Sequence, residues 1–290
     1  MLGRNWILLM VTSASFATSL TFNKVIVVEI GPFTLAFLRT LLALPLLLAI
    51  LPLLGATKQH IFQAIRPALL AGLLLVAIPF TAISYGQQTI ASGLGGILYA
   101  SMPLFTIVFA NFMIEDEKIT AIKIVGILIG MVGVAIAIGP DILINGIGHN
   151  VKGELVTLIA PLSYALGTVY LRRHRNLHPV ALFSAMFIVA TLVMLPVIFL
   201  LEEPLLMRPS NGSLVALAGL ATVGTALPAV LSYLLIQRAG ATNASLSMFF
   251  TPLFAIIYGT FLLGERLPPQ ALLGLVLIIL GSIIVTRLKN

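Results

Sequence analysis

The chain has no cysteine, one tryptophan and nine acidic residues among 290. Without cysteine there is no disulfide, no thiolate metal site and no cysteine nucleophile; the compartment is left open. Charge of both signs is scarce. Asp, Glu, Lys and Arg make up 9% of the sequence, where a soluble globular chain carries about 25%. So few charges cannot coat a water-facing surface, and lipid must cover much of it. No polar, low-complexity stretch separates independent domains. A Walker-type phosphate loop, an HExxH motif, an Asp-rich metal cluster and a nucleophile elbow are all missing. ATP-driven transport by this chain alone is therefore not expected, and neither is a cofactor or a metal.

What is present is apolar: 60% of the residues are hydrophobic and the mean hydropathy is +1.14. A helix needs roughly 20 apolar residues to cross a bilayer core. Such runs fall near 6–28, 32–54, 67–85, 91–114 and 121–139, then 153–171, 180–201, 213–237, 242–263 and 270–286. They are long and lack period-2 alternation, which excludes strands. The expected fold is all-α integral membrane with ten transmembrane helices. The first run follows Arg4 like a signal peptide, but it exceeds the usual apolar core of about 7–15 residues, so it is kept as a span.

The net charge of +7 does not mark a nucleic-acid partner, because the basic residues sit in short breaks between apolar runs. With the N-terminus inside, eleven Lys and Arg fall on that side, four (Lys24, Lys152, Arg208, Arg266) on the other, and Arg39 within a span. This bias predicts cytoplasmic N- and C-termini.

The halves resemble each other at an offset of 148 residues: Ser15-Phe16-Ala17 matches Ser163-Tyr164-Ala165, Ser84-Tyr85 matches Ser232-Tyr233, and Gly126 and Gly133 match Gly274 and Gly281. Pro103-Leu104-Phe105 matches Pro252-Leu253-Phe254 after a one-residue slip. With five spans in each half, the second enters the membrane from the opposite face. The expected units are residues 1–140 and 141–290, two inverted five-helix repeats, a design associated with alternating access. A duplicated scaffold without a transport path is the alternative.

Several further stretches add to these matches: 13–24, Gly31-Pro32-Phe33, Arg39, 91–96, Glu117, 239–245, Gly264-Glu265-Arg266-Leu267, Gln270 and Gly274. On these residues the chain resembles the drug/metabolite transporter superfamily, in its ten-helix EamA-type branch, and within it bacterial exporters of amino acids, aromatic ones included. The resemblance implies a central cavity lined by spans one, three, four, six, eight and nine. One departure stands out. Members often carry Trp-Gly early in span one, whereas this chain reads Thr12-Ser13-Ala14-Ser15-Phe16.

Candidate substrate-binding residues are Phe16, Tyr85, Tyr99, Ser163, Tyr164, Tyr233, Asn243 and Ser245. Tyrosine combines an apolar ring with a hydroxyl that needs a partner when buried, which suits an amphipathic substrate. Ordinary aromatic packing is the other reading, preferred for Tyr258. The runs containing Ser92, Gly93, Gly95 and Gly96, and Asn243 and Ser245, expose backbone to a ligand or pack helices tightly. Lys24 and Arg39 are candidate charge-pairing residues, attracting a substrate carboxylate or pairing with helix-end carbonyls; snorkelling and packing are the alternatives. Pro79, Pro103, Pro228 and Pro252 are candidate hinges, because proline removes an internal hydrogen bond. Spans five and ten, with their glycines, read as packing helices. All nine acids are placed in loops or at helix ends and the four histidines in loops, so a buried proton relay has no evident seat, and Glu29, Glu117 and Glu265 are the nearest substitutes.

The expected function is secondary export of small amphipathic metabolites, neutral or aromatic amino acids first, from a bacterial inner membrane. The expected partners are that substrate and the bilayer, a monomer being sufficient although an oligomer remains open. The rivals are a carrier of other metabolites or drugs and an intramembrane lipid-modifying enzyme. The enzyme would need acids or histidines clustered near one face, for which Glu115-Asp116-Glu117 is the one candidate.

Overall fold

A computed structural model describes residues 3–115, 119–145, 149–174, 176–239 and 246–287. Those residues form helices and connecting turns, with no strand among them. In chain order the helices are α1 (Gly3–Ile26), α2 (Pro32–Ile50), α3 (Lys58–Gln87), α4 (Ser92–Met113), α5 (Ala121–Asn145), α6 (His149–Leu171), α7 (Pro179–Leu201), α8 (Asn211–Ala239), α9 (Ser247–Leu263) and α10 (Pro269–Arg287). Eight are long and apolar enough to cross a bilayer, and α9 and α10 are shorter apolar helices that complete ten. The chain is thus a multi-pass membrane protein. An even number of crossings puts both ends on one side, here called the terminus face; the other is the far face.

Local sequence explains where the helices begin and end. Pro32 and Pro179 open α2 and α7, where a missing N–H costs nothing. Gly264 closes α9 at φ 66°, a left-handed conformation that favours glycine. α3 starts at Lys58, nine residues before the apolar run that hydropathy picks out. A reciprocal cap accounts for this: the Thr57 backbone N–H donates to His60 Nδ1 at 3.0 Å, and the Thr57 side chain accepts from the His60 backbone N–H. His60 therefore belongs to a helical turn, not to a loop. The helix continues through Pro67, and the residue four before it, Gln63, lines an open cleft where a freed carbonyl can be hydrated.

α3 and α8 each contain one turn of π-helix, Leu73–Ala77 and Thr222–Ala226, at matched positions of the two halves. Pro79 and Pro228 follow these wide turns directly. α4 is interrupted at Ala100 and Ser101, and Pro103 sits in the first turn of its second segment, Met102–Met113. Pro252 lies inside α9.

The helix contacts repeat when each helix number is advanced by five. α1 packs on α8 and α9, and α6 packs on α3 and α4; α3 packs on α7 as α8 does on α2; α2–α7, α4–α9 and α5–α10 pair across the halves. This is the arrangement of two inverted five-helix repeats about a pseudo-two-fold axis. The α5–α10 pair is a glycine seam at the edge. A Cβ on Gly133 would stand 2.7 Å from the Gly274 carbonyl oxygen, so only glycine permits the approach. That leaves α1, α3, α4, α6, α8 and α9 around the centre, flanked by α2 and α7.

Candidate functional site

The centre is built where α1 and α6 cross the wide turns of α8 and α3. Ser15 Oγ donates to the Val223 carbonyl at 2.5 Å, and Ser163 Oγ donates to the Leu74 carbonyl at 2.7 Å. A π turn leaves a carbonyl without its usual helical partner, and in both halves a serine from the opposite repeat supplies one. The residue after each serine, Phe16 or Tyr164, is half-buried.

Tyr99 and Tyr164 meet edge to face with ring centroids 5.5 Å apart. Both are half-buried side chains within the bundle. Arg39 of α2 lies over Phe80, part of the apolar cluster against which Tyr164 also packs. Its guanidinium carbon stands 3.7 Å above the Phe80 ring, its Nε donates to Thr225 Oγ1 at 2.8 Å, and its Nη2 donates to the Gly224 carbonyl at 3.3 Å. Phe187 meets the same Phe80 ring edge-on at 6.2 Å. Phe16, Tyr99, Ser163, Tyr164 and Arg39 thus belong to this central region.

Tyr85 and Tyr233 do not. Both are half-buried near the C-terminal ends of antiparallel helices, which puts them at opposite faces. The Lys152 ammonium stands 6.0 Å from the Tyr85 ring. Tyr233 stacks on His178 at 5.7 Å and donates to the Leu54 carbonyl at 3.5 Å. Asn243, Ser245, Asp116 and Glu117 lie outside the described residues.

At the far face, charged side chains are set on helix ends. Glu202 accepts from the backbone N–H groups of Phe33 and Thr34 at 3.0 and 2.8 Å, capping α2. Glu265 accepts from Ser92 N, Ser92 Oγ and Gly93 N at 2.7, 2.8 and 3.1 Å, capping α4. Glu29 accepts from Ser210 N and Oγ at 2.6 and 2.9 Å, just before α8. Each carboxylate meets the positive end of a helix dipole. Lys24 does the converse, donating to the Gln87 carbonyl at the end of α3 at 2.8 Å. Beneath it, Ser84 donates to Asn23 and Asn23 to Gln87, at 2.8 and 2.7 Å. Lys24 therefore takes the helix-end role among those its sequence position suggested, and Glu29 and Glu265 act as caps. Glu202 was invisible in the sequence, because a cap supplied from about 170 residues away has no local signature.

One acid departs from expectation. Glu154 is inside α6, one turn from its start, and is 2% exposed, so not every carboxylate is at a surface.

The two faces differ in tightness. Seven residues of Ile78–Gln87 in α3 are buried, from Pro79 to Gln87, whereas in Leu227–Ala239, the matched part of α8 at the terminus face, only Pro228 and Leu235 are. A cleft of about 430 Å³ also opens at that face between α3 and α6, beside Arg66, Tyr170, Arg173 and His174.

The EamA-like transporter family matches residues 4–139 and again residues 151–287. The chain is 31% identical over 266 residues to the uncharacterized inner membrane transporter YedA of Escherichia coli K12, covering 88% of this chain and 81% of that one. It is 27% identical over 263 residues to the uncharacterized transporter YoaV of Bacillus subtilis, covering 89% and 88%. One crystal structure shares the fold with a TM-score of 0.68 and 16% identity over 97% of both chains.

Proposed function

Because this chain belongs to the EamA-like transporter family, we propose that it is a secondary transporter exporting small amphipathic metabolites by alternating access, with neutral or aromatic amino acids as the substrates. The observation that carries the reading is the unequal burial of two matched helix halves, dense in α3 at the far face and loose in α8 at the terminus face. An inverted pair of repeats has two equivalent ways to be asymmetric, and exchanging them exchanges which face is open. The Tyr99–Tyr164 pair, deep in the bundle, supports an amphipathic cargo, with ring faces for its apolar part and hydroxyls for its polar part.

In this reading residues 1–140 and 141–290 are the moving units, the protein lies in a bacterial inner membrane, and the terminus face is cytoplasmic, in keeping with the eleven-to-four split of Lys and Arg. The far face, more densely packed here, is then the outer gate. The chain acts as a carrier without catalysis, and a monomer suffices.

Purified protein in liposomes, given a panel of amino acids with and without an imposed proton gradient, tests this. Saturable flux of neutral or aromatic amino acids is expected, at a rate indifferent to the gradient. Absence of flux across the panel removes the substrate class, and a rate that follows the gradient removes uncoupled export.

A further inference from the structure

Arg39 is 4% exposed and lies in a membrane-spanning helix, about 10 Å along α2 from its far-face end at 1.5 Å per residue. Arginine cannot shed its proton at such a site, so the charge must be balanced by contacts. Those available are meagre. Of five N–H donors, one meets Thr225 and one meets Gly224 at 3.3 Å, and neither acceptor carries a charge. Phe80 contributes a cation–π contact, which offsets part of the charge but supplies no counter-ion. No carboxylate pairs with Arg39 among the described residues. Nη1 makes no hydrogen bond there, yet it is not among the polar atoms sealed away from all open space. A buried cation left without a counter-ion is strongly destabilising. Bracing the turn of α8 would be served as well by a neutral amide, so it does not account for the charge.

We infer that the Arg39 guanidinium is the anion subsite of the transport path, taking the carboxylate of an amphipathic substrate whose apolar part lies against Tyr99 and Tyr164. This rests on the transport reading and sharpens it: the cargo is recognised as a carboxylate, by a planar fork suited to bidentate pairing. It also links occupancy to movement. Gly224 and Thr225 lie in the π turn of α8, next to Val223, which Ser15 holds. An anion that draws on the guanidinium competes with that turn for the same donors.

The test uses three probes of one shape: phenylalanine, 3-phenylpropanoate, which lacks the amine, and phenethylamine, which lacks the carboxylate. Flux of each is measured in liposomes with the wild-type protein, Arg39→Gln and Arg39→Lys, and the melting temperature of each variant is recorded. The wild type should carry the two carboxylates at least about tenfold faster than the amine, the factor expected for one charge-assisted pair. Arg39→Gln should carry all three at the slow rate of the amine, and Arg39→Lys should restore part of the preference. Equal wild-type rates for acid and amine overturn the subsite while leaving the transport reading intact. A preference that survives in Arg39→Gln, or a loss explained by unfolding in both variants, also overturns it. No flux of any probe removes the transport reading for this substrate class, and the subsite falls with it.

Discussion

Ser15 and Ser163 perform the same task in opposite halves of the bundle: each donates its hydroxyl to a carbonyl in the π turn of a helix from the other repeat, Val223 for Ser15 and Leu74 for Ser163. The donors are 148 residues apart and the acceptors 149. The reciprocal pair ties each wide turn to a helix of the other repeat, at the level where α3 and α8 have most freedom to bend.

Replacing either serine by alanine should therefore cost about 1 kcal/mol, the net worth of one buried hydrogen bond. The two sites share no partner, so the double variant should lose about the sum. Thermal unfolding of detergent-solubilised protein measures this. A variant with Ser15→Ala as stable as wild type would mean that the Val223 carbonyl finds another donor.

The repeat was legible in the sequence because it is written in residue identity: Ser15-Phe16-Ala17 against Ser163-Tyr164-Ala165 already pairs the two latches. The spans were legible because a bilayer imposes length and hydropathy on each helix alone. The π turns were not, since Leu73–Ala77 and Thr222–Ala226 read as ordinary apolar helix. Nor were the caps on α2 and α4, where Glu202 and Glu265 reach helix ends about 170 residues away. The matched tyrosines lie apart for a geometric reason. Inversion sends equivalent positions near helix ends to opposite faces, so Tyr85 and Tyr233 part, while Tyr99 and Tyr164, which are not each other's equivalents in the repeat, meet.

Glu29 sets a pH dependence. The Ser210 backbone N–H, then the Ser210 and Ser213 hydroxyls, hold its carboxyl below the usual 4.5. A depressed carboxylate contributes stability above its unfolded value and loses it as pH falls through the lower folded value. The melting temperature of the wild type should thus drop below pH 4.5 more steeply than that of Glu29→Gln. Parallel curves for the two proteins would show that the contact at the far face contributes nothing measurable.

The glycine seam between α5 and α10 should resist enlargement. A Cβ on Gly133 meets the Gly274 carbonyl oxygen at 2.7 Å, whereas one on Gly212 finds nothing nearer than Ser210 Oγ at 3.7 Å. Gly133→Leu is expected to destabilise by about 1–3 kcal/mol or more through overpacking. Gly212→Leu should change little. Equal melting temperatures for the two variants would place α5 and α10 further apart than the seam requires.

The tyrosines fall into two groups, one in the central region and one near the helix ends. Tyr99 and Tyr164 face each other at 5.5 Å in the centre, while Tyr258 packs on Phe254 at 6.1 Å within α9. On the transport reading, Tyr164→Ala removes a ring that contacts the cargo and should lower amino-acid flux in liposomes by about tenfold or more, the loss of roughly 1.4 kcal/mol or more of ring contact. Tyr164→Phe keeps the ring and should retain most of the rate unless the hydroxyl orients the cargo, in which case KM rises with little change in maximal rate. Tyr85→Ala and Tyr233→Ala, each at one mouth, should fall between Tyr164→Ala and Tyr258→Ala. If Tyr258→Ala and Tyr164→Ala depress flux equally with folding intact, the substrate does not pass between Tyr99 and Tyr164.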